Sequence, residues 1–271
     1  MTRIIANTAH IDPRAQLGDD VRIGPFSYIG PDVSIGRGTI IENNVTLKGQ
    51  TTIGEFNHIH PGAVIGGEPQ DISYAGSPTS VQIGNHNVIR ESVTINRGTE
   101  KDRAITTIGD HCYLMACSHV AHDCLVGNHV IIANGSMLGG HVHVEDYASI
   151  SGAVAVHHFA RIGSFSFVSG VSRVLHDVPP FMLVEGVPTR PRCVNMVALK
   201  RNNFAKETIK ALSDAHRLLY RAKVGLDHAR EILRTNNQMV PPVTHLLEFE
   251  QEKQEGRHGR ALDRPDRRIA A

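Results

Sequence analysis

Ile23-Gly24-Pro25-Phe26-Ser27-Tyr28, Ile29-Gly30-Pro31-Asp32-Val33-Ser34 and Ile35-Gly36-Arg37-Gly38-Thr39-Ile40, followed by Ile41, place one aliphatic residue at every sixth position. Counted outward, the series starts at Ile5, Ile11 and Leu17, runs on through Leu47, Ile53, Ile59 and Ile65, and resumes at Ile83, Ile89 and Ile95. It resumes again at Ile108 and reaches Val174, and all 26 positions are Ile, Leu or Val. A period of six fits neither an amphipathic helix nor an alternating strand. It fits a short strand with one inward aliphatic residue and then a turn. Gly follows the aliphatic residue often, as at Gly18, Gly36 and Gly109, so Gly or Asn is expected to carry the positive φ of that turn. Three such sides make an 18-residue triangular coil, and stacked coils pair strand on strand about 4.8 Å apart. The predicted fold is an all-β parallel β-helix.

The register breaks twice. Asp71 and Ser77 occupy the aliphatic positions between Ile65 and Ile83, and seven extra residues lie between Ile95 and Ile108. Two loops, near 67–79 and 97–106, are therefore expected to project from the solenoid, where function commonly sits. Val178-Pro179-Pro180 is read as the end of the repeat, because proline cannot donate to a ladder. The solenoid domain is assigned to 1–192 and a small C-terminal helical region to 193–250. In that region Ile209, Leu212, Ala215 and Leu219 share a helical face after Asn202 and Asn203 as candidate caps, and a second helix runs from Leu226 to Arg234. Pro241-Pro242 breaks it, and Val243 to Glu250 forms a last turn or two. The polar tail 251–271 reads as disordered.

The chain has 271 residues, with 28 Lys and Arg against 27 Asp and Glu. That balance gives no case for a nucleic-acid or anionic-membrane partner. No apolar run is long enough for a membrane span. Met1 to Ala9 lacks the basic start and apolar core of a signal peptide. Cys112, Cys117, Cys124 and Cys193 form no CxxC pair and read as reduced thiols, so a cytoplasmic location is expected.

The 17 histidines exceed what such a core needs. An 18-residue coil places the hexads starting at Val120, Leu138 and Val156 on one side of three successive coils. These contain His122, His141 and the pair His157-His158, with His119 at the adjacent corner, Asp123 beside His122, and Gly139-Gly140 before His141. His10, His58, His60, His86, His111, His129 and His143 are read as solvated turn histidines with no usable vertical alignment. For the aligned set three chemistries compete. One is a solvated edge. Another is a zinc site of the kind found in carbonic-anhydrase-like β-helices, whose ligand spacing is not reproduced here. The third is acid–base catalysis, in which a neutral His beside a carboxylate takes a proton from a hydroxyl and a Gly-Gly backbone offers an N–H to an oxyanion.

At these residues the chain resembles a known family. The tracts Ser118-His119-Val120-Ala121-His122-Asp123-Cys124, Ile89-Arg90-Glu91-Ser92-Val93-Thr94-Ile95, Gln70-Asp71-Ile72-Ser73-Tyr74-Ala75-Gly76, Ala155-Val156-His157-His158-Phe159 and Asp177-Val178-Pro179-Pro180 are similar, in order across about residues 8 to 235, to the acyl-carrier-protein-dependent UDP-N-acetylglucosamine O-acyltransferases. The resemblance implies a left-handed β-helix and a homotrimer with each site between two subunits. It implies transfer of a 3-hydroxyacyl chain from acyl carrier protein to the 3-hydroxyl of UDP-N-acetylglucosamine, the first step of lipid A biosynthesis. It makes His122 the general base, Asp123 its orienting partner and Gly140 the oxyanion donor. Gln70, Asp71, His119, His141, His157 and His158 would bind substrate, and Asn195 and Arg201 would reach the nucleotide. Gly170 would set acyl length. No metal and no cofactor is implied. Lys200, Arg201, Arg217 and Arg221 are a candidate landing patch for the acidic carrier protein. Three positions depart from the family pattern: Ser73 stands where Lys is usual, Val197 where an acidic residue is, and Asn202 where Arg is. All three fall at the acceptor end, so the same transfer to a diamino-sugar nucleotide, giving an amide, stands as the alternative acceptor.

Overall fold

The structure, a computed structural model, describes residues 3–264. Its strands lie on three parallel faces. The first face carries Ile4–Ile5, Arg22–Ile23, Ile40–Ile41, His58–Ile59, Val88–Ile89 and onward to Phe167–Val168. The second carries His10–Ile11 through Arg173–Val174, and the third Gln16–Leu17 through Arg161–Ile162. The aliphatic series stacks in register, Ile23 on Ile41, Ile41 on Ile59 and Ile59 on Ile89. From Ile23 to Val174 every member of that series is 5% exposed or less, so one inward side chain per strand fills the prism. Ile5 is 42% exposed because it lies in the first coil, at the open end.

The glycines that follow the aliphatic residues do a different job from the one expected. Gly18 and Gly36 have no positive φ; a Cβ on them would lie 2.7 Å from Arg37 N and 2.5 Å from Gly54 C. Close approach of the next coil requires them, and the left-handed turn position comes two residues later. There Gly or Asn does carry the positive φ at some turns, as Gly38 at 68° and Asn44 at 57° do, while at others larger side chains fill it, as Phe56 at 55°, His111 at 56° and Tyr147 at 61° do. At the corner between the third and first faces these rings form one column. Phe56, His86, His111, His129, Tyr147, Phe165 and Phe181 stack in order, with centroids 4.5–5.9 Å apart. His86, His111 and His129 are thus aligned, contrary to expectation. The two loops lengthen coils at another corner, which shifts sequence spacing and leaves the stacking unchanged.

The repeat outlasts Pro180. Met182–Gly186 adds a parallel strand beside Phe167–Val168, and Thr189–Val194 folds back antiparallel on it. Among the described residues four α-helices follow, α1 Met196–Arg201, α2 Lys206–His216, α3 Leu226–Thr235 and α4 Pro241–Glu255, with a π-helical turn Arg217–Arg221 continuing α2. Asn195 caps α1 through its side chain, and Asn202 ends α1 (Nδ2 to Ala198 O, 2.9 Å) where it was expected to start α2. Pro241 opens α4, because its missing N–H has no partner in a first turn anyway. The segment expected to be disordered from residue 251 is ordered as far as the described residues go. Gln251 to Glu255 complete α4, and the chain then returns to the solenoid. There Asp177 N donates to Gly259 O (2.8 Å), Ala261 N donates to Asp177 Oδ2 (3.0 Å), and Arg260, 7% exposed, donates to Leu175 O. Residues 265–271 of that tail lie outside the described residues. Among the described residues no helix is long and apolar enough to cross a membrane, and all four cysteines are free thiols.

Candidate active site

Both loops leave the second face and rejoin on the third. They run between the strands Val64–Gly67 and Ser80–Ile83, and between Thr94–Asn96 and Ile105–Ile108. The turns that carry His122, His141 and His157-His158 bridge the same two faces one to three coils further on. Loops and histidines therefore share one corner. The loops are tied to each other: Lys101 Nζ lies 2.9 Å from Asp71 Oδ2 and also contacts Ser73 Oγ, and Arg97 donates to Tyr74 Oη (3.3 Å) and pairs with Glu68.

Coil stacking fixes the histidine geometry. Val120 pairs with Leu138 and Leu138 with Val156, so His122, Gly140 and His158 form one column, and Asp123, His141 and Phe159 the next. His122 Nδ1 donates to Asp123 Oδ2 at 2.9 Å, which leaves the Nε2 lone pair free to accept a proton. Asp123 is fully buried and accepts from Thr99 N at 2.9 and 3.0 Å and from Thr99 Oγ1 at 2.6 Å. Burial works against its ionisation, but the bonds from His122 and Thr99 outweigh burial and hold the carboxyl below its usual range. His141 stacks on Phe159 (4.6 Å), meets His122 edge-on (5.1 Å) and donates from Nδ1 to Asp102 Oδ2 at 3.2 Å. Its buried Nε2 makes no hydrogen bond among the described residues and lies 3.8 Å from Asp123 Oδ2. His119 Nδ1 lies 2.7 Å from Thr94 Oγ1. Burial depresses both His119 and His141, and both stay neutral near pH 7.

Gly140 has its residue type for a local reason. A Cβ there would lie 2.5 Å from His122 Cε1 and 2.6 Å from Nε2, inside the ring that the column places below it. Among the described residues no hydrogen bond uses the Gly140 N–H. His122, Asp123 and His141 also offer donor atoms within 4.8 Å of one another, a spacing that a cation could bridge. Asp123 Oδ2 already accepts from His122 and twice from Thr99, which fits a hydrogen-bonded dyad better than a metal ligand.

Gln70 and Asp71 stand in the first loop at this corner, Gln70 exposed and Asp71 half-buried. His157 and His158 are in contact, ring centroids 3.9 Å apart. Asn195 and Arg201 are elsewhere. They line an apolar pocket of about 420 Å³ on the first face, with Ile131, Phe167, Leu183 and Val197. In a triangular prism that face lies opposite the histidine corner, so one chain does not bring them together. Gly170 lies beside the pocket; a Cβ on it would be 3.4 Å from Ser151 Oγ, and Ser151 is part of the lining. Lys200, Arg201, Arg217 and Arg221 are all exposed. Arg217 and Arg221 line a second cleft with Met196, distinct from the pocket of Arg201. Sequence reading singled out the second loop but not Thr99, Lys101 and Asp102, which contact Asp123, Asp71 and His141. Their polar side chains in an insertion next to the cluster were the available signal.

The description Udp N-acetylglucosamine O-acyltransferase, Domain 2, matches residues 177–258, and the bacterial transferase hexapeptide matches 14–49, 32–67 and 105–140. An acyl-carrier-protein–UDP-N-acetylglucosamine O-acyltransferase from Halorhodospira halophila is 44% identical over 94% of this chain and 99% of its own. The chain belongs to that acyltransferase family. A second member, from Saccharophagus degradans, is 48% identical over 89% of this chain and 93% of its own. The solved UDP-N-acetylglucosamine acyltransferase from Bacteroides fragilis superposes with a TM-score of 0.88 at 35% identity, covering 92% of this chain and 97% of that one. The enzyme from Campylobacter jejuni gives 0.86 at 37%, covering 92% and 96%. The fold of this acyltransferase is the left-handed parallel β-helix with a small helical C-terminal part.

Proposed function

We propose that this acyltransferase moves a 3-hydroxyacyl chain from acyl carrier protein to the 3-hydroxyl of UDP-N-acetylglucosamine, the first step of lipid A biosynthesis, with His122 as general base. The observation that carries the reading is the chain Thr99–Asp123–His122, with its free Nε2 beside the side-chain-free Gly140. His122 Nε2 takes the proton of the sugar hydroxyl as the oxygen attacks the thioester carbon. The Gly140 N–H donates to the carbonyl oxygen as it gains charge. Asp123 stabilises the imidazolium, which then returns the proton to the departing sulfur. The thioester is already activated, so base and oxyanion donor suffice and neither metal nor cofactor is required.

Gln70, Asp71, His119, His141, His157 and His158 line the acceptor side, and the exposed cations Lys200, Arg201, Arg217 and Arg221 receive the acidic carrier protein. Asn195 and Arg201 lie on the face opposite His122, so a second subunit must supply them. A cytoplasmic homotrimer with sites between subunits meets that need. The departure at Ser73 is offset by Lys101, whose ammonium lies against both Ser73 and Asp71. That cation supports the family's ordinary acceptor over a diamino-sugar nucleotide.

The test offers hydroxyacyl carrier protein and acetyl-CoA together, with both sugar nucleotides, to wild-type and His122→Ala protein. The expected result is an ester on UDP-N-acetylglucosamine from the carrier-protein donor, and at least about a hundredfold loss of kcat in a folded variant. A near-wild-type kcat in His122→Ala, or preference for acetyl-CoA, overturns the reading.

A further inference from the structure

Glu42, His58 and His60 lie on the first face, a different surface from the catalytic corner. Their placement follows from the coil. Ile41 pairs with Ile59 and Ile59 with Ile89, so the residues just after them, Glu42, His60 and Arg90, stand one above another on successive rungs. His58 and His60 are two apart in one extended segment, which directs both rings to the same side. They stack with centroids 4.1 Å apart. Glu42 Oε1 lies 2.7 Å from His58 Nε2 and 3.4 Å from His60 Nδ1, and Glu91 Oε1 lies 3.6 Å from His60 Nδ1. The donor atoms of Glu42, His58 and His60 fall within 4.8 Å of one another.

We propose that Glu42, His58 and His60, with Glu91 as a fourth donor, bind a divalent transition-metal ion of the zinc type. Two donors at about 2.0 Å from a tetrahedral ion sit about 3.3 Å apart, close to the spacing of His60 Nδ1 from both carboxylates. The shorter contact of His58 with Glu42 is a hydrogen bond whose proton the ion would replace. Two imidazoles with one or two carboxylates is a zinc-like donor set, too nitrogen-rich for calcium or magnesium. Arg90 holds Glu91 by two bonds, at 2.9 and 3.0 Å, and itself donates to Tyr113 Oη. That orients Glu91 toward His60, and the two side chains cancel in charge, so the guanidinium does not leave a net positive surface facing the ion. The side chains of His58 and Glu42 are 38% and 34% exposed in the single chain, so both donors reach its surface. Bound there, the ion would staple three successive coils.

The experiment uses full-length, tag-free protein freed of metal with chelator and titrated with Co²⁺, then with Zn²⁺ in competition. The expected result is one Co²⁺ per chain with visible ligand-field absorption, displaced by Zn²⁺, and a thermal midpoint raised by Zn²⁺. The double variant His58→Ala/His60→Ala should lose at least about a hundredfold in affinity, more than loss of an outer-shell partner costs, and should lose the thermal shift. Glu42→Gln, nearly isosteric, should weaken binding with an unchanged metal-free midpoint, and His122→Ala should bind as wild type does. Absence of Co²⁺ binding, binding that survives in the double variant, or binding lost in His122→Ala overturns the proposal; the last result would put the ion at the catalytic corner.

Discussion

A single methyl group probes the proposed catalytic corner. Gly140→Ala would put a carbon 2.5 Å from His122 Cε1, and the ring must turn away from its bond to Asp123. Displacements of this size cost about a hundredfold in well-oriented reactions. The expected outcome is a 10- to 100-fold loss in kcat, at about that scale, with KM for the sugar nucleotide little changed. Single-turnover kinetics checks it, and an unchanged rate would mean that the ring has room to spare. The neighbouring histidines should show in stability. Burial depresses His119 and His141, and burial also depresses His60 and His216. Below about pH 6.5 the unfolded chain takes up protons at these sites that the folded chain refuses, so stability is full above that value and falls as pH drops through it. His245 acts in the opposite sense, because its bond to Glu145 raises it: its contribution is full below about pH 6.5 and fades as pH rises through its folded value. The urea midpoint should therefore fall between about pH 7.5 and 5.5, with a smaller fall in His141→Gln than in wild type. Equal slopes in the two proteins would remove His141 from the account.

At the scale of elements, the two loops act as a pair. Burial opposes ionisation of Asp71, yet bonds from Ser73 and Lys101 hold its carboxyl well below the ordinary range. Lys101→Ala should loosen the first loop and raise KM for the sugar nucleotide about tenfold, the size of one charge-assisted hydrogen bond, with a smaller effect on kcat. Adding Ser73→Lys to that variant should restore KM, since it returns a cation to the same carboxylate. Failure of the rescue, with the loop still ordered, would show that position matters more than charge. The loops themselves were legible as breaks in a period of six. Which side chains inside them reach back to Asp123 and His141 was not, because an irregular backbone carries no period to count from. The stacked column from Phe56 to Phe181 was hidden for a related reason: the insertions lie on another corner and disturb the count without disturbing the stack.

For the whole molecule, a long acyl chain needs a groove, and Gly170 stands at the edge of the apolar pocket on the first face. Each buried CH₂ contributes about 0.8 kcal/mol, nearly fourfold in binding, so four more carbons could separate donors by about two orders of magnitude. Wild-type enzyme is expected to prefer a long hydroxyacyl donor, and Gly170→Met to shorten that preference. Turnover on carrier-protein donors of graded length measures it. A short optimum in wild type, or an unchanged optimum in the variant, would place the ruler elsewhere.

The amino-acid sequence by itself determined the solenoid, its two loops and the stacking of His122, Gly140 and His158, because a strict period turns sequence distance into vertical position. Tertiary structure decided what periodicity cannot encode. Thr99 reaches Asp123 and Asp102 reaches His141 from an aperiodic loop, and the chain from Gly256 to Arg264 folds back on Asp177 through contacts some 80 residues apart. It also put Asn195 and Arg201 on the face opposite His122. That separation depends on how the hairpin Met182–Val194 leaves the last coil, a geometry written in packing and not in spacing.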